Sequence, residues 1–128
     1  MAGSEKLDRG RGNLDGIDPT AYDGLAGLEA MAPGLRDSLV EFAFGDIYLR
    51  PGLDLKTREL SIVCALAGMG GVQPQLTGHL VYALQLGWTA EELREALIQI
   101  VPIAGFPRAV NGLLALADAE AALASREA

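Results

Sequence analysis

Apolar residues in this chain recur three and four positions apart, and each periodic run is closed by Gly or Pro. That pattern confines the fold to short helices joined by tight turns, because half-buried strands would alternate with a period of two. Asp18 before Pro19 opens a first helix, since a side-chain oxygen caps the first turn and the missing proline N–H costs nothing there; Tyr22, Leu25, Leu28 and Met31 share its face. Pro33 opens a second, with Leu35, Leu39, Phe42 and Ile47 recurring around Asp37, Glu41 and Asp46, to end near Tyr48 before Pro51 and Gly52. The third starts at Asp54, carries Leu60, Val63, Cys64 and Ala67 on one stripe, and stops in the run Gly68, Met69, Gly70, Gly71.

A fourth helix, over residues 73–86, places Leu76, Leu80, Ala83 and Leu84 inward, with Gly87 as a left-handed cap. Thr89 and Glu92 form a capping box, and Leu93, Leu97, Ile100 and Ala104 continue the buried face. After Gly105 and Pro107 the last helix reads Val110, Leu113, Leu114, Ala117 and Ala121 inward, with Asn111, Asp118 and Glu120 opposite.

Half of the residues are hydrophobic but only 5% are aromatic, which suits closely packed helices rather than a sandwich of branched and aromatic strands. The expected fold is therefore all-α: a single-domain array of about six helices. With 128 residues there is room for one core. It is expected over residues 17–128, behind a flexible arm at 1–16 whose Gly and charge show no periodicity. A net charge of −7 and a pI near 4.5 exclude a nucleic-acid backbone as partner. Cys64 is the sole cysteine, so neither an intrachain disulfide nor a Cys-based zinc site can form, and no metal is expected. Its setting, SIVCALAG, predicts a buried structural thiol. The start, MAGSEKLDRGRGN, has no secretory apolar run, and no stretch is long and apolar enough to span a bilayer, so a cytoplasmic location without membrane contact is expected.

Three segments, FAFGDIYLRPGLDLKTREL, HLVYALQLGWTAEELREALIQI and AGFPRAVNG, resemble the carboxymuconolactone decarboxylase family over residues 42–112. The resemblance implies an oligomer, a trimer or hexamer with sites near subunit contacts. It also implies loss of carbon dioxide from a substrate such as 4-carboxymuconolactone, giving a β-ketoadipate enol-lactone, without metal or organic cofactor. The same fold family includes alkylhydroperoxidase D-like proteins, in which a CxxC pair lies upstream of a histidine on one helix and a glutamate assists from the preceding one. Glu59 and His79 match that framework, but Val72 and Gln75 stand where the two cysteines would fall, so disulfide-cycling peroxidase chemistry is excluded. Pro102 stands where a Tyr often precedes the AGFP segment, and Arg108 occupies a position that is usually small.

Decarboxylation leaves an electron pair on carbon, which the protein must meet with hydrogen bonds or a proton. His79, the only histidine, is the candidate donor, because imidazole changes charge near neutral pH. It shares a helix face with Gln75, Leu76, Tyr82 and Ala83. Glu59 is its candidate partner, to orient the ring or act as an acid. Arg50, Lys56 and Arg58 surround the PGLD turn, where a guanidinium can hold a substrate carboxylate through two parallel bonds. Arg108 sits at a helix start, where a cation opposes the dipole and implies a bound anion or a partner's carboxylate. Tyr48 and Trp88 suit a pocket lining or, better, an oligomer seam. The expected function is a cofactor-independent decarboxylase or related lyase acting on a small carboxylated lactone or keto acid. The alternatives are a peroxide-handling protein relying on Cys64 alone and a non-catalytic binding or assembly module.

Overall fold

Glycine sets how the first segment packs. The computed structural model describes residues 2–127, which are predominantly helical and contain no strand among the described residues. Met1 and Ala128, at the ends of the expected arm and domain, lie outside them. The chain divides into two compact units, Met1–Leu55 and Lys56–Ala128. Where an arm was expected at 1–16, helix α1 runs Ala2–Ile17 and buries Leu14 and Ile17. Its glycines are points of close approach. A Cβ on Gly10 would lie 2.4 Å from the Val40 carbonyl oxygen, and one on Gly45 would lie 2.5 Å from that of Lys6. The Asn13 amide fastens the same contact by donating to the Phe44 carbonyl at 3.0 Å.

The rest of the first unit is more broken than its periodicity predicts. Buried Asp18 does accept from the Thr20 backbone N–H at 2.9 Å and from its hydroxyl at 2.7 Å. The helix that follows, however, is two short pieces, α2 (Ala21–Gly24) and α3 (Ala26–Met31), in a stretch where Gly24 and Gly27 lower the helical propensity. Tyr22 ties the first piece to segments before and after it: its hydroxyl donates to Asp37 at 2.6 Å, and the Arg11 and Arg36 guanidiniums lie 4.0 and 4.1 Å from its ring centre. Helix α4 (Leu35–Leu39) passes directly into a π-helical turn, Val40–Phe44, and then a 3-10 turn, Ile47–Leu49. Val40, Phe44 and Tyr48 are the buried residues of this stretch, whereas the expected stripe of Leu35, Leu39, Phe42 and Ile47 is exposed. Tyr48 packs its ring edge on Phe44 with centres 4.5 Å apart, so it offers no open surface for an oligomer seam.

The second unit is built from α5 (Leu55–Met69), α6 (Gln73–Gln85), α7 (Ala90–Gln99), α8 (Val101–Ala104) and α9 (Phe106–Glu127). Gly70 and Gly71, at φ +71° and +73°, turn α5 into α6, and Gly87 at φ +104° ends α6, all in the region open chiefly to glycine. Thr89 and Glu92 form the reciprocal cap of α7, with Thr89 accepting at 3.1 Å and Glu92 accepting at 3.0 Å. The core gathers Val63, Ala67, Leu76, Leu80, Leu93, Leu97 and Leu116. Helix α9 is turned relative to expectation: Ala109, Gly112, Ala115, Leu116 and Ala119 face inward, and Val110, Leu114, Ala117 and Ala121 face out. Small residues win the inner face because they let backbones close up. A Cβ on Gly112 would come within 2.7 Å of Leu97 Cδ2. Among the described residues no helix is long and apolar enough to cross a membrane.

Gly10→Ala separates a docked helix from a loose one by the sign of its effect. A free helix would gain about 1 kcal/mol from the exchange. Docked against the Val40 carbonyl, the variant should instead lose about 1–3 kcal/mol in denaturant titration, as overpacked sites do.

Candidate active site

The α5–α6 hairpin places a carboxylate opposite an imidazole. Glu59 lies one turn into α5, on the stripe it shares with Val63 and Ala67, and it is 0% exposed. His79 lies midway along α6, with its side chain 24% exposed. Glu59 Oε1 meets His79 Nδ1 in a short contact. A carboxylate oxygen accepts, so the bond fixes the hydrogen on Nδ1 and leaves Nε2 for other chemistry. Among the described residues Nε2 has no hydrogen-bond partner. One turn along α6, Tyr82 stands edge-on to the imidazole, with ring centres 5.2 Å apart and planes at 81°. The arrangement is a ring held at one nitrogen, braced from the side and open at the other.

A second link holds the hairpin at its far end. Trp88 Nε1 donates to the Lys56 carbonyl at 2.7 Å, and the Lys56 ammonium lies 4.5 Å from the indole centre. Lys56 and Glu59 are three residues apart on α5, so this clasp helps set the height of Glu59 against α6. Sequence reasoning placed Trp88 at an oligomer seam and missed the clasp; a tryptophan directly after the α6 glycine cap was the only signal.

The remaining expected site residues are distributed as follows. Arg58 precedes Glu59 on α5 and is half-buried. Tyr48 and Arg50 belong to the first unit. Arg108, in the first turn of α9, lies against Gly70, where a Cβ would come 3.0 Å from its Nε. Gly70 directly follows the last residue of α5, so the cation stands by the negative end of that helix, which supplies the reason a cation at an α9 start required. Val72 precedes α6 and Gln75 lies in its first turn, so the framework positions for a cysteine pair hold an apolar and an amide side chain.

Cys64 is half-buried, and removal from water pushes its thiol above the usual range. It stands on α5 five residues after Glu59, off the stripe of Glu59, Val63 and Ala67.

The sequence matches the carboxymuconolactone decarboxylase family over residues 33–118, and the chain belongs to that family. It is 30% identical to 4-carboxymuconolactone decarboxylase of Acinetobacter baylyi over 94 residues, 73% of this chain and 69% of that protein. It is also 33% identical to an uncharacterized 15.0 kDa protein from the nqo9–nqo10 intergenic region of Paracoccus denitrificans over 81 residues. That match covers 62% of this chain and only 60% of the Paracoccus protein. The family match begins at residue 33, so α1 to α3 precede it.

The raised Cys64 thiol has a kinetic signature. At pH 8 the folded protein should react with a disulfide reagent more slowly than the unfolded chain, with its rate rising at higher pH than that of the unfolded thiol. Equal rates in the two states would show an accessible, ordinary thiol.

Proposed function

We propose that this chain is a cofactor-independent decarboxylase acting on a small carboxylated lactone or keto acid, with His79 as proton donor and Glu59 as its partner. One observation carries the reading: the only histidine is anchored at Nδ1 by a wholly buried carboxylate while its side chain keeps 24% of its surface exposed. Family membership and the 4-carboxymuconolactone decarboxylase relative support decarboxylase-like chemistry in general.

In this reading the bond from the substrate carboxylate to its α-carbon breaks, carbon dioxide leaves, and the electron pair moves into the adjacent carbonyl as an enolate. His79, entering this step as the imidazolium with hydrogen on both nitrogens, then gives its Nε2 proton to that carbon and is left as the neutral ring with its hydrogen on Nδ1. The Glu59 carboxylate accepts from Nδ1 throughout, holding the tautomer and balancing charge on the ring. Burial of Glu59 strengthens this, since the pair interacts where water screens little. Arg58, next to Glu59, is the candidate to hold a carboxylate of the substrate through a bidentate pair. The mechanism uses groups of the second unit alone. Arg108 remains available to a second anionic group.

A role for the protein as a peroxidase loses support on two counts, the missing cysteine pair and the raised Cys64 thiol. The reading also includes a cytoplasmic location and assembly into a trimer or hexamer. The exposure of Ile103, Phe106 and Leu114 supports the assembly.

Purified protein assayed by mass spectrometry against 4-carboxymuconolactone and a panel of small β-keto and lactone acids should release one carbon dioxide per substrate consumed. His79→Ala should lower kcat by about 10²- to 10⁴-fold, the usual contribution of a positioned acid or base. Turnover unchanged in that variant would remove His79 from the mechanism.

A further inference from the structure

Loss of carbon dioxide sends an electron pair into the neighbouring carbonyl, whose oxygen then carries the negative charge. His79 serves the carbon, Glu59 serves His79 and Arg58 serves a carboxylate, which leaves that oxygen without a donor. A donor already in place is worth most, because nothing has to reorganise when the charge appears. Helix α6 sets what lies around the imidazole. Gln75, Gly78, His79 and Tyr82 stand three and four residues apart, so they form one stripe of that helix.

Two members of the stripe have no role in folding. Gln75 is exposed, and among the described residues its side-chain amide has no hydrogen-bond partner; the Gln73 amide, by contrast, donates to the Asn111 carbonyl at 2.7 Å. Cβ atoms one turn apart on a helix lie about 5–6 Å from each other, so the Gln75 amide and the His79 imidazole can reach two atoms of one small molecule. Gly78 is the second. Glycine is the poorest helix former after proline, and at Gly10 and Gly112 a close contact demands it. Gly78 has no such contact, since a Cβ there would find no heavy atom within 4 Å. Other helical glycines with open space are exposed, as Gly12, Gly16 and Gly27 are, or stand at a helix end, as Gly68 does. Among the described residues Gly78 alone is half-buried, in mid-helix and open above.

We propose that Gly78 is the floor of the substrate site and that Gln75 is a catalytic residue whose Nε2–H donates to the carbonyl oxygen as it becomes an enolate. The absent side chain lets a flat acid lie on the α6 backbone, with its α-carbon at His79 Nε2 and its carbonyl oxygen toward Gln75. Tyr82, edge-on to the imidazole, walls the far end. As the bond from carboxylate to α-carbon breaks, the pair moves onto the oxygen and the amide hydrogen bond strengthens. As the imidazolium proton reaches the carbon, the pair returns and the bond relaxes. The amide gains and loses no proton, so the balance of the reaction is unchanged. The substrate class narrows to planar acids with a carbonyl next to the α-carbon. The chemistry rests on the decarboxylase reading, whereas the recess over Gly78 belongs to the free protein.

Oxalate, a planar dianion shaped like the enolate of a keto acid, is the probe. Titrated into isotope-labelled wild type, it should shift the Gln75 side-chain amide and the His79 imidazole resonances in one saturable transition. Gly78→Ala should raise the melting temperature by about 2–5 °C, as alanine does in an open helical position, and yet weaken oxalate binding by about tenfold or more. Gln75→Leu should leave melting unchanged and weaken oxalate by about tenfold, the worth of one hydrogen bond. In the carbon dioxide assay Gln75→Leu should lower kcat by about 10²- to 10³-fold and alter KM far less, as loss of an oxyanion donor does. Wild type that fails to bind oxalate, a Gly78→Ala variant that melts lower or binds as wild type does, or a Gln75→Leu variant with unchanged affinity or kcat would each overturn the proposal. Oxalate binding that depends on both residues, in a protein that releases no carbon dioxide from any acid, would support the site and remove the decarboxylase reading.

Discussion

A glutamate with no exposed surface constrains everything around it. Burying a carboxylate costs several kcal/mol unless hydrogen-bond donors meet it, and removing one member of such a pair leaves that cost uncompensated. Glu59 meets His79 from the facing helix, so the register of α5 against α6 is tied to a polar contact beside an apolar core. Two features farther out keep that register from drifting. The paired left-handed glycines Gly70 and Gly71 fix the turn at one end, and the Trp88–Lys56 clasp fixes the other. The geometry at the imidazole thus follows from folding itself.

Small residues do the complementary work. In the second unit Ala109, Gly112, Ala115 and Ala119 form the inner face of α9, and Leu97 occupies the space a Gly112 side chain would take. In the first unit Gly10 and Gly45 let α1 lie on the π-helical turn closely enough for Asn13 to reach the Phe44 carbonyl. On α9 the bulkier Val110 and Leu114 face outward as a result. The exposed line along α9 is therefore coupled to its tight inner packing: a helix whose small residues face in must carry its large ones somewhere else.

This coupling explains which parts of the fold were legible in the sequence. Capping was, because a Thr89 oxygen and a Glu92 carboxylate act within one turn, and left-handed glycines such as Gly87 end helices by local geometry alone. The nearness of Glu59 and His79 came from the resemblance together with the hairpin spacing, and the structure brings the two together. Tyr82 was placed on the right face of α6, though its edge-on contact with the imidazole was not foreseen. The inner face of α9 was misread because periodicity ranks a stripe by hydrophobicity, whereas packing ranked it by size. The helix over Ala2–Ile17 was not legible for a related reason: glycine counts against order when it is judged by chain entropy, yet Gly10 lets α1 approach the Val40 carbonyl.

The same physics separates the two ends of the chain in functional terms. Helices α1 to α3 precede the residues that match the family, and α1 packs on Val40–Phe44, a stretch that lies within them. A π-helical turn leaves a backbone carbonyl poorly served by its own helix, and the Asn13 donation to Phe44 supplies one such carbonyl from outside. The N-terminal helix therefore acts on the family portion through backbone, by satisfying a hydrogen bond and filling a glycine-lined contact. A family scaffold can acquire such an addition without altering its chemistry, since the residues that accommodate it, Gly45 and the Phe44 carbonyl, carry no titrating group.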